Sequence, residues 1–198
     1  MGMKLAWFIT FGFFGLLPYE THGGEPTEQV RATVQRVLAL LRDRPSHGIE
    51  QELRLAVEQR FDFAEMAKRS LGSQWRRLTP AQEQEFVRLF TNLLERKYLG
   101  EIAAYENDKI VFTNERQDGQ YAVVETRVVP EGGEPISLDY KLHRRGAEWK
   151  IYDVAIENIS LVNNYRSQFN RVIAKSSLAG LMERLRQIAI DSASSNGK

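Results

Sequence analysis

Hydrophobic and polar positions alternate along this chain in three distinct ways, and each predicts a different kind of structure. Leu5–Leu17 (LAWFITFGFFGLL) is an uncharged, mainly apolar run with Lys4 ahead of it and Pro18 behind it. A bilayer span needs about 20 apolar residues, so this run is too short to be one. With Thr21-His22-Gly23 after it, the run has the three-part layout of a secretory signal peptide, and residues 1–23 are expected to be a cleaved leader. From residue 26 the apolar positions recur every three or four residues. Val30, Val34, Val37, Leu38 and Leu41 form one helical stripe over residues 26–42, a second helix is expected over Ile49–Gln59, and a third over Phe61–Ser70 with Gly72 beyond its end. Thr79 as cap, Pro80 at the first helical position and Gln82 three residues after the cap open a long helix. Its apolar face carries Phe86, Leu89, Phe90, Leu93, Leu94, Tyr98, Leu99 and Ile102.

Beyond residue 108 the period falls to two. Lys109–Thr113, Tyr121–Val129, Ile136–Arg144 and Trp149–Ile156 are predicted strands, joined through Asp118-Gly119, Gly132-Gly133 and Arg145-Gly146. Connections this short favour an antiparallel meander. In the third strand Ile136, Leu138, Tyr140 and Leu142 share one face, while Ser137, Asp139, Lys141 and His143 share the other, which is expected to meet water. Ser160 caps a further helix through Tyr165, Phe169 and Ile173, and a last helix carries Leu178, Leu181, Leu185 and Ile188. The expected fold is therefore α+β: a four-stranded antiparallel meander covered on one face by helices. One domain is expected over residues 24–190, with a loose tail over 191–198 (DSASSNGK).

Composition narrows the function classes. The chain has no cysteine, which excludes disulfides and a lipid-modified N-terminal cysteine. Its 27 Lys and Arg against 26 Asp and Glu give a net charge of +1, so nucleic acid is not an implied partner. No Cys nucleophile, G-x-S-x-G elbow, H-E-x-x-H pair or phosphate-binding glycine loop is present, and the three histidines are scattered. No enzyme activity, metal or cofactor is therefore expected. Asp139, Asp153 and Glu157 are the carboxylates an acid–base mechanism would use, and solvated or Arg-paired surface residues are the plainer reading of them. Aromatic residues are abundant on the elements that cover the sheet. They fit either ordinary core packing or a ligand cavity where helices and sheet part.

The order of motifs adds a resemblance. FDF at Phe61–Phe63, LGSQWRRLTPAQEQEF from Leu71 to Phe86 and Tyr98 on the same helix resemble the MlaC family, the toluene-tolerance auxiliary proteins of lipid ABC transporters. LDYKLHRRGAEWKIYDVAIENISLVNNYRSQF, Leu138 to Phe169, resembles that family's strand–turn–strand–helix signature. Asn158 stands where the family's turn has glycine, and Asn tolerates the positive φ that such a turn needs. The resemblance runs from Pro26 to Ala189.

It implies a periplasmic phospholipid carrier that holds acyl chains in an apolar pocket between sheet and helices. The carrier would shuttle lipid between an outer-membrane lipoprotein complex and an inner-membrane MCE-domain subunit of an ABC transporter, and so maintain membrane lipid asymmetry. The expected pocket wall is Phe86, Phe90, Leu94 and Tyr98 on the long helix, Leu138, Tyr140 and Leu142 on the third strand, and Val154, Ile159, Val162, Tyr165 and Phe169 after it. Trp75 and Trp149, beside glycines, are expected to be packing residues. Three other readings stay open: a hopanoid carrier of the sister branch, a periplasmic adaptor with a solid core and no ligand, and a lipid hydrolase using Asp153 or Glu157.

Overall fold

The computed structural model describes residues 24–43, 49–103 and 107–195. The leader expected over residues 1–23 lies outside the described residues. Three helices come first: α1 (Glu25–Asp43), α2 (Ile49–Arg60) and α3 (Phe63–Leu71). A 3₁₀ turn, Gly72–Arg77, then leads into the long α4 (Pro80–Ala103). The capping box forms in both directions: Thr79 N donates to Gln82 Oε1 at 2.9 Å and Gln82 N to Thr79 Oγ1 at 3.3 Å. Gly72 ends α3 at φ +57°, where a side chain would be strained.

The sheet follows: β1 (Lys109–Asp118), β2 (Tyr121–Val129), β3 (Ile136–Arg145), β4 (Glu148–Ile156) and a two-residue β5 (Ile159–Ser160). It is antiparallel throughout, in the order β1-β2-β3-β4-β5. Pairing carries β1 five residues past the expected end, because Asn114–Asp118 continue the ladder opposite Tyr121–Glu125 although their side chains are polar. The fifth strand arises at the two-residue turn Glu157-Asn158, where both residues have positive φ (49° and 65°). Asn158 thus holds the left-handed geometry expected of the glycine it replaces.

A bulge sets the faces of β4. Leu142 pairs with Ile151 but Lys141 pairs with Asp153, so Tyr152 is an extra residue. Trp149 and Ile151 point inward, Tyr152 and Asp153 outward, and Val154 inward again. The outer face, expected from the alternation of β3 to meet water, stays partly exposed at Ser137, Asp139 and Lys141 but is covered at His143. His143 is only 9% exposed, since Asp62 Oδ2 lies 2.9 Å from its Nε2. Arg69 of α3 lies over the adjoining Tyr152 ring at 4.2 Å. Phe61 bridges to the free edge of β4, with Asp62 N donating to Ile151 O at 2.8 Å, and this brings α3 beside the sheet.

Two helices complete the chain, α5 (Leu161–Lys175) and α6 (Leu178–Ser195). The residues 191–195, read from composition as the start of the tail, continue α6, as propagation from a docked helix favours. Asp153, 4% exposed, ties α5 to the sheet. It accepts Lys141 Nζ at 3.0 Å, Ser160 Oγ at 2.6 Å and the α5 backbone N of Val162 at 3.1 Å, while Ser160 Oγ caps Asn163 N.

The core has two parts. In the helical part Phe86, Leu89 and Phe90 of α4 meet Met66 and Leu71 of α3, Tyr165 and Phe169 of α5, and Leu181 and Leu185 of α6. In the sheet part Ala122, Val124, Leu142, Trp149 and Ile151 pack against Val30 of α1. Asp153→Ala leaves a buried hydroxyl and the first turn of α5 without their acceptor, and is expected to cost about 3 kcal/mol in urea unfolding. Asp153→Asn, which keeps one acceptor, is expected to cost less than half of that. Thr79→Ala removes one side of the capping box and is expected to lower stability by about 1 kcal/mol in the same measurement.

Candidate functional site

Between the two parts of the core the helices stand off the sheet and leave an apolar cavity of about 250 Å³. Three groups of residues enclose it. Val30, Val34, Val37 and Leu38 of α1 with Val57 of α2 form one wall. Phe61, Phe63 and Met66 form the next, and Leu94, Tyr98 and Ile102 from the C-terminal half of α4 the third. The floor is the inward face of the sheet, with Ile110, Val128, Ile136, Leu138, Tyr140, Ile151, Val154 and Ile156, closed by Leu161 at the start of α5. The aliphatic side chains come from strands with period two and helices with period 3.6, so every element contributes a continuous apolar stripe.

Polar groups in the wall are few and mostly satisfied. Thr33 Oγ1 donates to Gln29 O at 3.1 Å and accepts Arg60 Nε at 3.2 Å. The same Arg60 donates to Gln29 Oε1 and to Trp149 O, both at 2.6 Å, and so fastens α1 and α2 to β4. The Tyr140 hydroxyl is hydrogen-bonded to Thr126, and burial holds it well above the ordinary phenol range. Thr126 in turn donates to Leu138 O at 2.6 Å. The charged pair Arg54 and Glu95 lies 3.1 Å apart at the wall between α2 and α4.

Of the wall residues expected from sequence, the structure places Leu94, Tyr98, Leu138, Tyr140 and Val154 around the cavity. Phe86, Phe90, Val162, Tyr165 and Phe169 lie in the helical part of the core instead. There Phe90 meets Tyr165 edge-on at 5.3 Å and Phe86 meets Phe169 at 5.7 Å. The cause is the length of α4: its apolar face meets the helical cluster from Phe86 to Leu94 and reaches the cavity from Leu94 to Ile102, with Leu94 and Tyr98 touching both. Leu142 shares the inward face of β3 but is enclosed by Trp149 and Ile151 in the filled part of the sheet core. Ile159 is 62% exposed on β5, because the tight turn at Glu157-Asn158 directs it away from the helices. Trp149 is fully buried and Trp75 packs edge-on against Phe86, both in packing roles.

Residues that the sequence reading did not assign to the wall are chiefly those of α1, together with Val57, Met66, Ile110, Val128 and Ile136. The signal lay in the α1 stripe itself, an apolar face for which the reading named no partner. Of the three carboxylates considered for acid–base work, Asp153 caps and pairs as described and Glu157 accepts Ser137 N, while burial and the nearby Glu125 raise the Asp139 carboxyl above its ordinary range. Among the described residues no cluster of His, Cys, Asp or Glu is arranged to hold a metal ion, and no helix is long and apolar enough to cross a membrane.

Known proteins share both the sequence pattern and this architecture. The phospholipid-binding protein of Ralstonia solanacearum, solved in complex with a phospholipid, matches with a TM-score of 0.74 and 30% sequence identity, over 82% of this chain and 96% of that one. The intermembrane phospholipid transport system binding protein MlaC of Haemophilus influenzae is 27% identical over 124 residues, which is 60% of this chain and 58% of that protein. The toluene tolerance protein Ttg2D of Pseudomonas putida is 32% identical over 95 residues, 48% of this chain and 44% of that protein. The chain thus spans about half the length of these curated relatives. The model of the family described as MlaC protein matches residues 31–187, which takes in most of α1, the cavity walls apart from Val30 and more than half of α6, and the chain belongs to that family.

Proposed function

We propose that this protein is a periplasmic phospholipid carrier whose cavity holds acyl chains during transfer between membrane complexes. The observation that carries the reading is the cavity itself: an apolar space left beside two well-filled core regions, in a fold shared with a protein solved with phospholipid bound. A family of lipid-transport components is the setting in which such a space has a use.

The energetics fit a shuttle. Burying two chains of about 16 carbons at roughly 0.8 kcal/mol per CH₂ is worth on the order of 20 kcal/mol against water. Against a bilayer the same chains gain little, because both surroundings are apolar. Loading and release therefore depend on docking that changes the affinity of the cavity, not on spontaneous exchange through water. An inner-membrane MCE-domain subunit and an outer-membrane lipoprotein complex are the partners this scheme requires. The lipid-contact residues on this reading are Leu94, Tyr98, Leu138, Tyr140 and Val154 with the α1 stripe. The reaction is transfer, and it needs no catalytic group.

Native mass spectrometry of protein taken from a periplasmic extract without detergent tests the reading. A mass excess released by organic extraction and identified as phospholipid is the expected result. A hopanoid mass would assign the cargo to the sister branch. A clean apo mass, unchanged after incubation with lipid vesicles, would leave the ligand-free adaptor as the better account.

Variants separate wall from core. Leu138→Trp and Val154→Trp fill the cavity and are expected to lower bound lipid roughly fivefold or more, with the cooperative unfolding transition kept. Phe86→Ala is expected to cost about 3–5 kcal/mol of stability while lipid per folded molecule stays near the wild-type level.

A further inference from the structure

Arg54 and Glu95 are the charged side chains among the described residues that line an otherwise apolar cavity. Arg54 belongs to α2 and Glu95 to α4, and their Nη2 and Oε2 atoms lie 3.1 Å apart. Their surroundings are unequal. The Arg54 side chain is 51% exposed, whereas that of Glu95 is 9% exposed, so the guanidinium is far more open to solvent than the carboxylate. Burial raises the Glu95 carboxyl above its ordinary range, with Arg54 drawing it back and the nearby Glu58 of α2 adding to the rise. Glu95 is therefore a largely buried carboxyl group whose ion-pair partner is Arg54.

We propose that Arg54 is the phosphate-reading residue of the cavity, and that Glu95 is an internal anion which Arg54 exchanges for the lipid phosphodiester on loading. The proposal rests on the carrier reading above. A bound phospholipid whose chains fill the cavity must leave its phosphate at the rim, where water is partly excluded and an unpaired anion is unfavourable. Among the described residues Arg54 is the basic side chain that lines the cavity, and it is half exposed. A guanidinium presents several donors in a planar fork that matches two phosphate oxygens, and charge-assisted pairs of this kind are among the stronger polar contacts. In this structure the guanidinium pairs with Glu95, which holds the side chain beside the cavity. The exchange reads the phosphate and nothing beyond it, so lipids with different headgroups are accepted while an uncharged diacyl lipid is disfavoured.

The test compares two probes with the same chains, dipalmitoylphosphatidylglycerol and dipalmitoylglycerol, each supplied from methyl-β-cyclodextrin to the full mature protein. Bound lipid per protein is read by native mass spectrometry. Wild type is expected to retain both, with the phospholipid preferred. Arg54→Gln is expected to lower that preference about tenfold, the effect of one charge-assisted contact at a half-exposed position, and Arg54→Lys to restore part of it. Glu95→Gln, which removes the competing anion without changing shape, is expected to raise the preference. An unchanged phospholipid-to-diacylglycerol ratio in Arg54→Gln overturns the proposal while leaving the carrier reading intact. Should that variant fail to fold, an unchanged ratio in Glu95→Gln overturns it equally. Wild type that retains neither probe overturns the carrier reading, and this proposal with it.

Discussion

The edge-to-face packing of Phe86 and Phe90 against Tyr165 and Phe169 is the contact on which the remaining architecture depends. These rings fix the first half of α4 against α5, with α3 and α6 closing the cluster. Beyond that half the helix carries Leu94, Tyr98 and Ile102 to the cavity, with Leu94 and Tyr98 still packed on the helical cluster and Arg96 donating to Ile188 O of α6 at 3.0 Å. The cavity lies where this face, α1 and α2 meet the inward face of the sheet without filling the space between them. Aromatic pairs contribute beyond the area they bury, which suits a cluster that must keep its shape while the space beside it changes content.

Buried polar groups then join the helical part to the sheet. Asp153 links β3, β4, β5 and α5 through three hydrogen bonds, and Asp62 caps α3 while meeting His143 and Arg145 on the outer face. Arg60 does the same for α1, α2 and β4 on the other side. Each is a point where one side chain satisfies groups from several elements, so the layers are held in register at their edges and the middle is left apolar. Satisfied networks of this sort specify a single arrangement more than they add net stability.

Much of this was legible in the sequence, and the reasons it was or was not are particular. The capping box at Thr79 and Gln82, the period-two segments and the Ser160 cap are local signals, and the elements they mark formed where expected. The resemblance carried by Phe61–Phe63, Leu71–Phe86 and Leu138–Phe169 pointed to the family. The identity of the wall was less legible. Periodicity shows that Phe86, Phe90, Leu94 and Tyr98 share one face of a helix, but it does not show where along that face the neighbour changes from helix to cavity. Nor does alternation reveal that His143 is covered, because the covering groups, Asp62 and Arg69, arrive from elsewhere in the chain. Arg54 and Glu95 lie on α2 and α4, with α3 and a 3₁₀ turn between them in sequence, and meet only in the folded molecule.

The bulge at Tyr152 carries a consequence of a different kind. Without the bulge, strict alternation from Ile151 onward would turn Asp153 into the cavity and Val154 out of it. The oil-lined floor and the polar anchor of α5 thus both depend on where the ladder between β3 and β4 slips, and not only on which residues stand along it. Backbone pairing along this stretch is itself a determinant of what the cavity can hold.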